Sequence, residues 1–185
     1  ADLHWVQGRK LHSIFIGGGT PSLFSGPAIE AILVAAEDLI GFESDIEITL
    51  EANPGTFEQN KFADFYSAGI NRLSIGVQSF NDSHLSRLGR IHDASQALRA
   101  IATARSVGFD NFNIDLMHGL PNQTISQAET DLAKAIDAGA VHISWYQLTI
   151  EPNTKFFSRP PALPIDDRLA DIQNAGMIML QENQF

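Results

Sequence analysis

Short β-rich runs and helical patterns take turns along the whole chain. Strands are predicted over about residues 12–16, 45–50, 72–77, 111–116 and 141–149, each followed by helical periodicity over 27–40, 58–67, 94–107, 125–138 and 166–180. Parallel strands need long crossover connections, which helices supply, so this alternation predicts an α/β fold built on parallel strands, as an open layer or a barrel. Gly41, Gly69, Gly108 and Gly139 each follow one of the helical patterns, where a residue free to take positive φ closes a helix. With no low-complexity tract or charge block between the units, residues 1–185 read as a single domain.

Side-chain parity narrows the choice. Ile46, Ile48 and Leu50 share one strand face and Glu47, Thr49 and Glu51 the other; Leu73, Ile75 and Val77 oppose Ser74, Gly76 and Gln78; Phe112, Ile114 and Leu116 oppose Asn113 and Asp115. Strands covered by helices on both faces read almost continuously apolar, so helices are expected on one side only. The polar residues gather at carboxyl ends: Thr20 after the first strand, Glu51 and Asn53 after the second, Gln78 after the third, Asp115 and His118 on the fourth, Gln147 and Thr149 on the fifth. That edge is where parallel α/β folds bind ligands, so the polar faces are expected to line a lumen.

Composition limits the partners. Twelve basic against twenty-two acidic residues give a formal charge of −10, so a grip on nucleic-acid phosphates would work against the overall field. No apolar run approaches the roughly 20 residues of a membrane span, and no secretory leader pattern is present, which predicts a cytoplasmic protein. There is no cysteine, so no thiolate can ligate a metal within these residues. The six histidines show no paired helical spacing, and no metal ligand is assigned. The chain begins at Ala1 and ends at Phe185, directly after a helical pattern with no capping residue beyond it, as expected of an excerpt from a longer protein.

Individual motifs carry the chemistry. Ser13-Ile-Phe-Ile-Gly-Gly-Gly-Thr-Pro-Ser22 reads as a buried strand running into glycines, whose backbone amides could approach an anionic group. It is not a phosphate loop of the Gly-Lys-Ser/Thr kind, and Ser22 stands where a dinucleotide fingerprint needs its third glycine. Glu51, held before Asn53-Pro54-Gly55, could accept from ribose hydroxyls, whereas Glu47 suits a structural ion pair. Asp115 lies mid-strand and needs a partner, for which Arg90 is a candidate. Trp145 and Tyr146 read as strand core, with a planar ligand as the lesser possibility.

Residues 14–22 (IFIGGGTPS), Leu50-Glu-Ala-Asn-Pro-Gly-Thr, Arg72-Leu-Ser-Ile-Gly-Val-Gln-Ser-Phe, Leu88-Gly-Arg-Ile-His, Asn113-Ile-Asp-Leu-Met-His-Gly-Leu-Pro and Trp145-Tyr-Gln-Leu-Thr-Ile-Glu-Pro-Asn-Thr follow in one order. Through them the chain resembles the radical S-adenosylmethionine (SAM) proteins related to oxygen-independent coproporphyrinogen III oxidase, and most of all the HemW-type haem chaperones, over nearly all of its length. The resemblance implies a partial TIM-type (β/α)6 barrel, incomplete at its first strand, with Ala1–Gln7 as the tail of the first crossover helix. It implies that Gly18, Gly19 and Thr20 contact the methionine part of SAM, with Glu51, Gln78, Arg90, Asp115 and Thr149 around the ligand or a second SAM site. It further implies a [4Fe-4S] cluster, whose CxxxCxxC ligands would lie outside this chain, and haem or porphyrin, whose HNxxY motif would also lie outside it. Haem-accepting proteins and an electron donor are the implied partners.

Two rival readings stand beside the haem chaperone: an oxygen-independent oxidase decarboxylating coproporphyrinogen, and a Rossmann-like nucleotide-binding domain with Gly17 and Gly19 at a phosphate and Glu51 on a ribose. Whichever holds, these residues alone lack thiolates and are expected to be catalytically inactive as a radical SAM unit. Anaerobic reconstitution of the 185 residues with iron and sulfide is expected to leave no stable cluster absorbance; a cluster at full occupancy contradicts this.

Overall fold

A computed structural model describes residues 3–185. Five strands, β1 (Leu11–Ile16), β2 (Phe42–Ala52), β3 (Arg72–Gln78), β4 (Phe112–His118) and β5 (His142–Gln147), form one sheet in the order β1-β2-β3-β4-β5. The helices are α1 (Leu3–Val6), α2 (Gly26–Ile40), α3 (Thr56–Gln59), α4 (Phe62–Ser67), α5 (Asp82–Arg87), α6 (Ala94–Val107), α7 (Ile125–Asp137), α8 (Lys155–Ser158) and α9 (Asp166–Glu182). β1 with β2, β2 with β3 and β4 with β5 pair in parallel. The order is strictly sequential. A doubly wound nucleotide-binding sheet instead reverses its strand order at a switch point, so the Rossmann-like reading is not the fold. α1 agrees with a helical tail at the start of the chain, although Ala1 and Asp2 of that expectation lie outside the described residues.

By contacts the chain divides into two compact units: residues up to Ile75 together with Arg99–Phe112, and Gly76–Leu98 together with Asn113–Phe185. In the first unit, Ile29 and Leu33 of α2, Phe62 and Phe65 of α4, and Leu50 and Leu73 of β2 and β3 are buried. β1 is not the buried strand the sequence predicts: Ile14 and Ile16 are only half-buried, and Phe15, opposite Thr49 on the polar face, is exposed; among the described residues β1 pairs with β2 alone. The helix predicted over 58–67 is broken into α3 and α4. Tertiary bonds compete with its periodicity there: Lys61 Nζ donates to the carbonyls of Ser22, Leu23 and Phe24 at 3.1, 2.8 and 3.1 Å, and Ser22 Oγ donates to the buried Glu58.

In the second unit α7 opens with a reciprocal capping box, Thr124 and Gln127 each accepting the other's backbone amide. α5, unforeseen in the sequence, starts on Asn81, which caps Ser83 and His84, and ends in a Schellman turn: Gly89 at φ 72° bonds Ser86 and Arg90 N–H reaches the Leu85 carbonyl. α9 closes in the same manner, with Gln184 at φ 66° and the Phe185 amide donating to Leu180, so the uncapped end expected from the sequence is in fact capped, by a non-glycine residue. β5 is shorter than predicted. Its last ladder bond is Leu148 N–H to the His118 carbonyl at 2.9 Å; β4 ends there and Gly119 turns away at φ 69°, which leaves Thr149 without a strand partner.

Gly176 of α9 lies against the Trp145 indole so closely that a Cβ there would stand 1.9 Å from Cη2. Gly176→Ala is expected to destabilise the protein by about 1–3 kcal/mol through overpacking, read as a lower urea midpoint. An unchanged midpoint would show that the indole can move aside.

Candidate functional site

Strand parity places the polar residues, and each unit presents its own group. In the first unit β1 and β2 run in register with Ile16 opposite Leu50, so Gly17 comes beside Glu51. A Cβ on Gly17 would sit 2.9 Å from the Glu51 carboxylate and 2.8 Å from the Phe15 ring, so glycine at this position is what lets the carboxylate in. Gly18 N–H donates to Glu51 Oε2 at 3.0 Å. Gly18 and Gly19 adopt φ 80° and 59°, with open space where a Cβ would stand. Thr20 precedes the short 3-10 turn at Pro21–Leu23 and makes no side-chain cap bond to it. Thus Gly18 and Glu51 are brought together, and what the sequence does not show is the role of Gly17, which makes room for the Glu51 carboxylate.

Below Glu51 the same face of β2 is spent on structure. Arg72 pairs with Glu47 at 3.8 Å and donates to the buried Thr49 hydroxyl at 3.2 Å, so the structural pairing expected for Glu47 is present. Asn53 N–H donates to Glu58 Oε2 at 2.7 Å, which fixes the turn after β2.

In the second unit β4 and β5 pair with Asp115 opposite Ser144 and Met117 opposite Tyr146. Their shared polar face is cross-linked: Ser144 Oγ donates to Asn113 Oδ1 at 3.1 Å, Asn113 Nδ2 to Asp115 Oδ1 at 2.7 Å, and Tyr146 OH to Gln78 Oε1 at 2.8 Å. Gln78 and Asp115 therefore belong to one polar face, with Ser144 and Tyr146 of β5 as the neighbouring positions. Tyr146, assigned to the core by its sequence, is exposed at the ring yet committed through its hydroxyl. Arg90 is not the partner of Asp115: it stands in the exposed turn after α5, where its side chain makes no hydrogen bond or ion pair among the described residues.

Gln78 itself is strained. It ends β3 at φ 70°, a conformation that costs a non-glycine residue about 1–2 kcal/mol. The next two residues are clamped by Asp131 of α7, which accepts from Ser79 Oγ and from Phe80 N–H, both at 2.7 Å. Burial pushes the Asp131 carboxyl above the ordinary carboxylate range, against the lowering pull of those two bonds and of Lys134.

Parity also corrects two assignments. His118 and Gln147 lie on the opposite face from Asp115, with Leu116 and Trp145; the His118 ring lies against the Trp145 indole, their centroids 4.3 Å apart and their planes tilted by 39°, on the side where Gly176 of α9 packs. Burial holds the His118 imidazole below its ordinary pKa of 6.5, and burial with the nearby Arg87 does the same for His84. Unfolding lets both rings take up protons at pH values where the native state keeps them neutral. Their contribution to stability is therefore full above about pH 6.5 and is lost as the pH falls below it. The urea midpoint is expected to drop between pH 7.5 and 5.5, and less steeply in His118→Gln; identical slopes would contradict this.

The Radical SAM superfamily model matches residues 3–135. The chain is 59% identical to the heme chaperone HemW of Haemophilus influenzae over 95% of its own length and 46% of that protein, and 54% identical to the Escherichia coli HemW over 97% and 47%. It thus spans a little under half the length of these curated relatives. It superposes on the radical SAM enzyme coproporphyrinogen III oxidase (HemN) of E. coli with a TM-score of 0.85 at 27% identity, covering 98% of this chain and 43% of that one. No described helix is long and apolar enough to cross a membrane. The parallel strands and their helices form part of a TIM-type barrel, and the chain belongs to the radical SAM superfamily.

Proposed function

We propose that this chain is the SAM-facing part of a cytoplasmic radical SAM haem chaperone, a protein that holds haem and passes it to haem-requiring partners. The observation that carries the reading is the identity, above half, to proteins named heme chaperones along almost the whole chain. Bound SAM would supply one-electron radical chemistry. The residues here fit the ligand: Glu51 keeps lone pairs beyond the one taken by Gly18, and the Gly18–Gly19 turn is open where side chains would stand. Gly18, Gly19 and Thr20 are assigned to the methionine end and Glu51 to hydroxyl or ammonium donors. Gln78, its Oε1 held by Tyr146, offers its amide N–H groups, and Asp115 offers a carboxylate. Arg90 and Thr149, both exposed, are assigned to the outer part of the ligand or a second SAM. A [4Fe-4S] cluster does not fit these residues, which include no cysteine and, among those described, no group of three His, Asp or Glu side chains suited to a metal; its ligands belong elsewhere in the protein, as does the haem motif.

Loss of one charged hydrogen-bond partner costs about 1.5–3 kcal/mol, or roughly 10- to 100-fold in affinity. Glu51→Gln and Asp115→Ala in the full-length protein are each expected to weaken SAM binding by about tenfold or more, and Gln78→Ala, which removes a neutral amide, by about two- to tenfold. Unchanged affinity in all of them would remove these residues from the site. The second reading, an oxidase acting on coproporphyrinogen, is favoured by the close superposition on HemN. Haem titration beside an anaerobic coproporphyrinogen turnover assay separates the two: turnover without haem retention would select the oxidase.

A further inference from the structure

The second unit holds a cavity of about 360 Å³ whose wall joins the end of α5, the segment after β5, and α8. Arg87, Lys155 and Arg159 line it, with Glu151 as the single carboxylate and the hydroxyls of Ser86 and Thr154 beside them; Thr149, assigned above to SAM, is on the same wall, so the two ligands would be neighbours there. In a chain of formal charge −10, this convergence of cations runs against the average. Nor are the cations spent on the protein. Lys155 and Arg159 make no side-chain hydrogen bond or ion pair among the described residues, even with Glu151 on the same wall. Arg87 gives one N–H to the Pro121 carbonyl at 2.8 Å, which steadies the guanidinium and leaves its other donors for a ligand. Leu88 and Phe156 add apolar surface.

We propose that this cavity is a carboxylate subsite, taking the acidic arms of a tetrapyrrole whose apolar body lies beyond it. The proposal rests on the haem-chaperone reading and deepens it by naming where the ligand's charge is met. Two molecules in that reading carry carboxylates, haem and SAM. The amino-acid end of SAM brings an ammonium and a sulfonium with its carboxylate, and a wall of three cations repels both. Propionate arms carry only negative charge, on an apolar ring, and match the donors and the apolar residues together. The size agrees as well: the cavity is at the small end of the roughly 300–1,000 Å³ of ligand pockets, enough for the arms of a larger molecule.

The test is an optical titration of the full-length protein with haem and with haem dimethyl ester, whose propionates are uncharged, in wild type and in Lys155→Ala/Arg159→Ala. Both side chains are exposed, so the fold tolerates their removal. Wild type is expected to prefer haem over the ester by about tenfold or more, and the double variant to lose that preference while binding the ester as before. Lys155→Glu is expected to deepen the loss for haem alone. Equal binding of haem by wild type and variant, or equal loss for haem and ester, overturns the subsite while leaving the chaperone reading intact. A wild type that takes up neither form defeats the chaperone reading and the subsite with it. A variant that loses SAM affinity but keeps haem affinity assigns the carboxylate to SAM and overturns the tetrapyrrole.

Discussion

A carboxylate or amide on the polar face of a strand, or in the turn that follows it, costs least where donors and acceptors stand close by, and the more so where it is partly buried. Most of the polar architecture of this protein answers that requirement. Glu51 is met by the Gly18 amide, Glu47 by Arg72, Glu58 by Ser22 and Asn53, Asp115 by Asn113, and Gln78 by Tyr146. In several of these pairs one partner also keeps bonding capacity in reserve. A wall of this kind is rigid and still able to bind.

Backbone conformation is part of the same design. Gly17 is required by what approaches it rather than by its own φ, because any side chain there would occupy the Glu51 carboxylate's place. Gln78 illustrates the converse: a residue that pays for a left-handed turn and is kept there by bonds from Asp131 to the following residues. Asp131 is nearly inaccessible and is held with a raised carboxyl pKa, so the clamp is itself built against a desolvation cost. Strain at the strand end and a buried carboxylate behind it together fix the direction of one amide side chain.

Much of this was legible in order of appearance. Strand and helix succession, the glycine stops at Gly41, Gly69, Gly108 and Gly139, and the polar parity of β2, β3 and β4 all follow from local rules and recur in the structure. What failed to be legible has a common cause. The break between α3 and α4, the exposure of β1, and the early end of β5 depend on neighbours distant in sequence. His118 and Gln147 stand at the polar strand ends by their position along the chain, but their parity puts them on the other face, with Leu116 and Trp145. Tyr146 reads as core within its own strand, because its hydroxyl's partner lies 68 residues away.

The amino-acid sequence by itself determined the class of fold and which side of each strand would be polar, because both follow from a two-residue alternation and a helical period that any short segment carries within itself. It also determined that no thiolate stands in these residues. Only the tertiary structure decided which polar groups meet. A hydrogen bond depends on register between strands and on the angle of a turn, and those are settled by contacts across 30 to 70 residues, as between Gly18 and Glu51 or Gln78 and Tyr146.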